Sequence, residues 1–527
     1  MGQDKGFFKK MNRESKIKCL EQKVWDIAII GGGASGLGVA LDALSRGLSV
    51  LLVEKSDFAK GTSSRSTKLL HGGVRYLAHG QIKIVMDALK ERSIILKNAP
   101  HVSRKQTFII PIYTFYDLIK YNTGLKVYDM LAGKYSIGSS KFISKARVMR
   151  SLPTINSKGL IGGVVYYDGQ FDDARLALNI AQTCDDMGGN ILNYMKVISL
   201  GKNENGHING FLIQDMISKR KYHILAHTVV NATGVFADKV LKMDNIKSKK
   251  TLKPSQGSHI VLDRAFLASD DALMIPKTAD GRVLFAIPWH EKVILGTTDI
   301  LRKTPKNEPV PLAREIDFIL ETFGTFMVKK PHKSDILSSY AGMRPLAAPA
   351  EERSKTQDIS RSHKITVSKS GLVSIIGGKW TTFRKMGEDA VDAIVNKYTI
   401  KIPQSSSSMV KIHGYKDGVA SGHLSIYGSD ADHIIKLWVD QPDLNQPLHP
   451  DYPYTRAEVI WAVRNEMALK VDDVLARRFR MLFLDAKAAT EMVSMVAELM
   501  AKELVRDEVW IQAEIHRFKK LAKKYMI

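Results

Sequence analysis

The chain has 527 residues, 44% of them hydrophobic and 25% charged, with a formal net charge of +24. That composition suits two or three packed domains and excludes a mainly disordered chain. Two cysteines, Cys19 and Cys184, exclude a disulfide framework and a Cys-rich metal site, and no run of about 18 apolar residues predicts a membrane span.

Residues 1–23 are a basic arm without the apolar core of a secretory signal, so a cytoplasmic location is expected. The segment "VWDIAIIGGGASGLGVALDALSRGLSVLLVEKS" then predicts a strand over Trp25–Ile30, a helix over Ala34–Arg46 stopped by Gly47, and a strand over Ser49–Val53 ending in Glu54. Gly31, Gly33 and Gly36 occupy the G-x-G-x-x-G positions: a tight turn, a close approach of backbone N–H groups to a pyrophosphate, and close helix–sheet contact. The helix N-terminus faces the phosphate charge, and Glu54 can accept from a ribose diol. Gly31, Gly33, Ala34, Ser35, Gly36 and Glu54 are therefore candidate cofactor-binding residues.

The next stretch, "TSSRSTKLLHGGVRYL" (Thr62–Leu77), crowds hydroxyls, cations and a His-Gly-Gly into one loop, which suits a segment lying along a charged ligand. Farther on, "HILAHTVVNATGVFAD" places a β-branched strand before Ala232, Thr233 and Gly234, a second cofactor-facing turn, and no second complete fingerprint for a nicotinamide cofactor follows. Short β-like runs such as "GSHIVLD" and "KVILGTTD" within 251–360 predict an antiparallel substrate-binding sheet. "VSIIGGKWTTFRKMGEDAVDAIV" repeats the opening logic, with a strand over Leu372–Ile376, a Gly-Gly turn and a helix from about Thr381, which makes Gly378, Lys379 and Thr381 candidates at the cofactor.

The motifs near residues 31, 233 and 378 require a discontinuous cofactor domain. The expected organisation is an α/β chain: a Rossmann-like dinucleotide domain over 24–400 interrupted by substrate-binding insertions at 100–165 and 251–360, a Ser-rich linker at 401–415, and a helical C-terminal cap over 416–527. Thr455 with Glu458 forms a capping box in that last part. At its end Ile511, Ile515, Phe518, Ala522 and Tyr525 recur at helical spacing among Lys519, Lys520, Lys523 and Lys524. Such a helix either lies on a bilayer or docks on its own domain.

The fingerprint, the Thr62–Leu77 stretch, "DDARL", "VVNATG", "GSHIVLD", "IPWHEKVILGTTD", "MRPL" and "GGKWTTFRK", in that order, resemble the FAD-dependent, respiratory-type glycerol-3-phosphate dehydrogenases of the D-amino-acid-oxidase-like flavoproteins. The resemblance spans about residues 24–400 and continues more loosely beyond. Leu37 and Phe383 depart from it, a smaller residue and a tyrosine being usual there. It implies FAD as cofactor, with Thr62, Ser63 and Ser64 hydroxyls on it and the glycines at 72 and 73 leaving room for the isoalloxazine. It also implies His71, Arg75 and Tyr76 at flavin and substrate, and a membrane quinone as electron acceptor. A peripheral position on the inner face of the cell membrane is expected from it, against an anionic lipid surface, and a homodimer is the candidate assembly.

Oxidising sn-glycerol 3-phosphate to dihydroxyacetone phosphate needs an acceptor for the C2 hydride, a base for the hydroxyl proton, and cations for the phosphate. Within the matching motifs Arg75, Arg344, Arg361 and Lys379 are the candidate cations, with Tyr76 beside them. His71 and His259 are the candidate bases, with His290 a third, and Arg344 or Lys379 could instead stabilise a developing alkoxide. Base and electrostatic helper are not separable at this stage. Two alternatives stand beside this reading: an oxidase giving electrons to O2, and an RNA-binding flavoprotein without turnover. The second meets no RRM, KH or zinc-knuckle pattern, so no nucleic-acid partner is expected.

Overall fold

The computed structural model describes residues 11–77, 80–278, 281–348, 363–399, 401–418 and 422–527, with the backbone alone at Arg75. Arg361, the Arg75 side chain and the first ten residues of the basic arm lie outside the described residues.

In chain order the elements that build the site are β1 (Trp25–Ile30), α1 (Ala34–Ser45), β2 (Val50–Val53), β3 (Ser103–Ile112), α2 (Phe115–Ala132), β4 (Gly162–Phe171), α3 (Asp173–Asp186), β5 (Asn190–Leu192), β6 (Lys221–Asn231), β7 (Leu252–Asp263), β8 (Ala272–Ile275), β9 (Leu284–Trp289), β10 (Lys292–Gly296), β11 (Ser338–Ala347), β12 (His363–Val367), β13 (Val373–Gly377), α4 (Phe383–Tyr398), α5 (Arg456–Asn465), α6 (Val493–Leu504) and α7 (Glu508–Ala522). Strands β13, β6, β1, β2 and β5 form a parallel run with β12 antiparallel at the edge. Ile30 pairs with both Val53 and Asn231, and Asn231 with Ser374, so turns distant in sequence open at one end of one sheet. The discontinuous reading of the motifs near 31, 233 and 378 has this physical cause: three strands from three parts of the chain must be neighbours for their turns to share a ligand.

Both faces of the parallel run are buried, as the continuous Val/Ile/Leu runs require. One face packs on α1, α3 and α4 through Ile27, Ile29, Leu41, Leu176 and Val391. Here α1 and α4 touch backbone to backbone: a Cβ on Gly387 would stand 2.1 Å from the Gly38 carbonyl oxygen, and one on Gly38 would stand 2.3 Å from that of Phe383. Leu37 and Phe383 are buried in this same cluster, so at both departing positions an apolar side chain fills core.

The second sheet runs β11–β7–β10–β9–β8–β3–β4, antiparallel except where β8 meets β3. The expected antiparallel strands within 251–360 thus share one sheet with strands from 100–171. Its β7–β11 pair carries His259 and Arg344.

Beyond residue 400, serines expected in a linker are tied to the first sheet's helices: Ser405 and Ser407 donate to the Asp42 carboxylate, and Ser406 to the Ser45 carbonyl. The C-terminal helices α5, α6 and α7 share a separate apolar cluster, and Thr455 and Glu458 make the expected capping box. Of the two readings of the tail, docking is the one realised. Phe518, Ala522 and Tyr525 are buried against this cluster because their stripe matches the apolar faces of its neighbours, which leaves the bilayer reading of that stripe incorrect. No helix among the described residues is long and apolar enough to cross a membrane.

Candidate active site

A cavity of about 710 Å3 runs along the ends of the parallel strands, past Gly31, Gly33, Ala34 and Ser35, between Glu54 at one end and Gly378, Lys379 and Trp380 at the other. Its size falls in the range of cofactor sites. The fingerprint turn packs directly on the second turn: Gly31 has φ +116, and a Cβ there would stand 2.6 Å from the Ala232 carbonyl oxygen. Gly33 caps α1 without a side chain of its own; the Ala34 N–H donates to Ser63 Oγ at 3.0 Å, and Gly33, Ala34 and Ser35 line the cavity at the helix N-terminus. Glu54 accepts from the Gly32 and Ser56 backbone N–H groups, each at 2.9 Å. Burial pushes its carboxyl up, against the pull of those two donors. The helix N-terminus and the acid on the wall of one elongated cavity fit a dinucleotide.

A second cavity, about 270 Å3, meets the first at Thr62, Arg65, Pro345, Gly378, Lys379 and Trp380. It is a space for a small molecule, and its wall holds His71, Tyr76, His259, Arg344 and Lys379 together with Arg65 and Arg282. Arg344 lies flat on the β7 backbone because residue 257 is glycine; a Cβ there would stand 2.4 Å from the guanidinium. Its Nη1 donates to the Thr298 carbonyl at 3.0 Å and to Asp299 at 3.2 Å, and its Nη2 to Thr297 Oγ1 at 3.0 Å. The "GTTD" segment after β10 therefore fixes the guanidinium plane. Lys379 Nζ sits 3.7 Å from the centre of the Tyr76 ring, a cation–π contact that aims the ammonium at the shared wall.

His259 is 2% exposed, stacked on Tyr340 with ring centres 4.7 Å apart, and its Nε2 lies 3.0 Å from Thr67 Oγ1. Burial, then the positive charges of Arg344 and Lys68, hold its pKa well below the ordinary histidine value, which favours the neutral ring. Asp168, at the other end of the cavity, is pushed up by burial although Arg92 and Tyr128 donate to it at 2.7 and 3.0 Å. Tyr128 also accepts from the Gly72 N–H at 2.9 Å, which anchors the His-Gly-Gly turn.

Most of the expected residues converge. Gly31, Gly33, Ala34, Ser35, Glu54, Thr62, Ser63, Ala232, Thr233, Gly234, Gly378 and Lys379 line the larger cavity, and Thr381 lines the smaller one. Four expectations are corrected. Ser64 is buried outside both cavities and offers its carbonyl to Lys68 Nζ and Arg480 Nη2, because the short helical turn at 62–64 points successive side chains in different directions. Gly36 does not reach the cavity; a Cβ there would stand 1.9 Å from the Gly31 carbonyl, so its role is packing. Gly72 and Gly73 make room for protein: a Cβ would stand 2.4 Å from the Tyr128 hydroxyl at 72 and 2.3 Å from the Tyr76 ring at 73. His290 also lies outside both cavities, beside Asp172 at 3.3 Å.

Sequence reasoning passed over Arg65, Thr67, Arg282 and Asp299. Arg65, Thr67 and Asp299 sit inside quoted motifs, where the signal was present but not apportioned to single residues; Arg282 has none.

Comparison with known proteins agrees with this geometry. Residues 26–384 match the family model described as FAD dependent oxidoreductase, and residues 372–509 match the C-terminal domain of alpha-glycerophosphate oxidase. The mitochondrial glycerol-3-phosphate dehydrogenase of Mesocricetus auratus is 37% identical over 96% of this chain and 74% of its own length. That of Arabidopsis thaliana is also 37% identical, over 95% of this chain and 86% of its own. Among solved structures, the glycerol-3-phosphate dehydrogenase from Bacillus halodurans complexed with FAD superimposes with a TM-score of 0.80, at 28% identity over 98% of each chain.

Proposed function

The chain belongs to the FAD-dependent glycerol-3-phosphate dehydrogenases, and from that premise we propose that it oxidises sn-glycerol 3-phosphate to dihydroxyacetone phosphate and passes the electrons to a membrane quinone. The observation that carries the reading is the smaller cavity, where a group of cations and a neutral imidazole meet the wall of the cofactor cavity. Arg282, Arg344 and Lys379 line this space, with Arg344 paired to Asp299 and Arg65 to Glu308, and a phosphate dianion suits that surplus of cations better than an amine or a neutral sugar does.

When bound, FAD would supply the two-electron acceptor for the C2 hydride. Glu54 holds the ribose diol, the α1 N-terminus faces the pyrophosphate, and Lys379 stands between cofactor and substrate. Arg344 holds the phosphate in a plane fixed by Thr297, Thr298 and Asp299. The proton of the C2 hydroxyl leaves toward His259 rather than His290, since only His259 of these two lines the cavity. His71 shares the cavity and stays the second candidate base. The same reading keeps the division into a cofactor domain, a substrate sheet and a helical cap as a proposal.

A different face supports the membrane partner. On α2, Phe115, Tyr116 and Ile119 are 72, 73 and 69% exposed, next to Lys120 and Lys126, and Lys141 and Lys145 follow close behind where Ser140 is pinned to Asp129. Exposed apolar side chains on a helix that also carries lysines suit the headgroup region of an anionic bilayer. We place the peripheral contact there, on the cytoplasmic leaflet. The acceptor is tested by reducing the protein anaerobically and then admitting a soluble quinone or air: fast reoxidation by quinone and slow reoxidation by O2 is expected, and the reverse order would make it an oxidase.

A further inference from the structure

Thr67 and His259 line the same cavity, and the Thr67 hydroxyl is the partner of the imidazole there. The imidazole is buried between Tyr340 and the β7–β10 pair, so close that a Cβ on Gly296 would stand 2.3 Å from its Cδ2. Its Nε2 is met by Thr67 Oγ1 at 3.0 Å, and Thr67 itself lines the substrate cavity.

The backbone on either side of Thr67 is held by unusual means. Ser66 donates to Asp173 Oδ2 with its backbone N at 3.0 Å and its hydroxyl at 2.7 Å. Lys68 has φ +60, a left-handed conformation that non-glycine residues rarely keep. It is fully buried, its N–H bonded to Ser66 Oγ at 3.0 Å and its Nζ to the same Asp173 oxygen at 2.7 Å and to the Ser64 carbonyl at 2.9 Å. Arg480, from the helical C-terminal part, donates to the second Asp173 oxygen at 2.8 Å and to Ser64 O at 2.9 Å. Tyr340, on which His259 stacks, donates to the Ser66 carbonyl at 3.2 Å. A strained residue persists only where its surroundings over-determine it, and such residues gather at reacting sites. What this bracing fixes is the position of one hydroxyl.

We propose that Thr67 is a catalytic residue that relays the substrate proton to His259. The inference rests on the glycerol 3-phosphate reading. As the C2–H bond breaks and its electron pair leaves to the oxidised flavin, the C2 hydroxyl proton passes to Thr67 Oγ1, the Thr67 proton passes to His259 Nε2, and the C2–O bond becomes a carbonyl. The substrate loses two electrons and two hydrogens in all, Thr67 ends with the proton count it began with, and the imidazolium later returns its proton to solvent. Transfer between two alcohol oxygens is nearly balanced in energy, so the imidazole is the sink that drives it. The charged groups facing that ring are Arg344 and Lys68, with Asp173 and Arg480 behind Lys68. Burial first, then Arg344 and Lys68, weaken the base in the empty site; Asp299 already pairs with Arg344, and a phosphate dianion there offsets more of its charge, which removes part of the smaller, electrostatic share of the depression.

The test compares Thr67→Val, which keeps the shape and loses the hydroxyl, with Thr67→Ser, which keeps the hydroxyl, in flavin-loaded protein. Thr67→Val is expected to slow anaerobic flavin reduction by about 100-fold or more while Thr67→Ser stays within about fivefold, the range for loss of a positioned acid or base. In histidine-labelled protein the His259 imidazole nitrogen resonances should move in Thr67→Val and hold in Thr67→Ser. The proton inventory in mixed light and heavy water should curve for wild type and Thr67→Ser, as two protons in flight require. Normal wild-type reduction with Thr67→Val slowed less than about threefold would overturn the relay alone. A wild type that glycerol 3-phosphate does not reduce would overturn the substrate reading and the relay with it.

Discussion

Removing the Arg344 guanidinium should do two separable things. Nη1 gives both its hydrogens to Thr298 and Asp299 and Nη2 gives one to Thr297, so a phosphate meets a guanidinium whose plane costs little to organise, through its Nη2 and Nε edge. A charge-assisted bond contributes about 1.5–3 kcal/mol, so Arg344→Met, losing a two-pronged contact, should cost about 3 kcal/mol or more and lower kcat/KM by at least about 100-fold. Arg344→Lys keeps the charge without the fork, and a loss of about tenfold is expected. The second effect is on His259. Arg344 is one of the two cations that hold this imidazole below its ordinary value, behind burial as the larger cause. Without that cation the pKa of the imidazole rises, so the acid limb of kcat/KM moves to higher pH in Arg344→Met and stays near its wild-type place in Arg344→Lys. The substrate phosphate titrates identically in every variant and drops out of the comparison. The assay is anaerobic stopped-flow flavin reduction across pH, with flavin content checking that each variant is folded. A kcat/KM for Arg344→Met within twofold of wild type, or an acid limb that does not move, would refute the placement of Arg344 between phosphate and base.

Two further outcomes follow from buried charges outside the cavity. Asp57, in the loop after Glu54, takes both Arg477 and Arg478 from the C-terminal helical part; burial works against its charge, and those two guanidiniums outweigh it. Asp57→Asn should cost about 3–5 kcal/mol, read as a lower denaturation midpoint, and should release flavin earlier than wild type does, whereas an unchanged flavin release would mean this pairing does not brace the cofactor loop. His413 bridges Asp186 and Asp430, which outweigh burial and push its pKa up to about 10. A raised pKa contributes stability that is complete below the unfolded value of about 6.5 and fades as pH rises toward 10. His413→Gln should therefore be less stable than wild type by roughly 3 kcal/mol near pH 6, with the gap closing in alkali; a gap independent of pH would contradict the ion-pair origin.

The parallel sheet and its cofactor turns were legible because their physics is local. A glycine turn, a helix N-terminus and an acid at a fixed distance each leave a mark within some 30 residues, as Gly31 to Glu54 do. The capping box at Thr455 is of the same kind. Ser64 was misplaced because a hydroxyl in a polar loop does not announce its direction, and one short helical turn reverses it. Gly72 and Gly73 were rightly seen as space-makers, but the groups that claim the space, Tyr128 and Tyr76, come from different elements, one of them far along the chain. The tail helix α7 carried both an apolar stripe and a lysine fringe, and only the facing cluster decides whether such a stripe meets lipid or protein. Arg65 and Thr67 were within the most closely read stretch of the chain. What distinguishes them is the cavity wall they share, a property of the second sheet and the Gly378 turn rather than of the loop itself.

The most direct measurement is anaerobic: flavin-replete protein is mixed with sn-glycerol 3-phosphate, with glycerol and a D-amino acid as controls, and the visible flavin band is followed. Rapid bleaching by glycerol 3-phosphate alone is the predicted result, since only that ligand brings both the dianion for the Arg344 and Lys379 cavity and the secondary alcohol beside His259. A band that persists with glycerol 3-phosphate, or that bleaches equally with glycerol, would contradict the account.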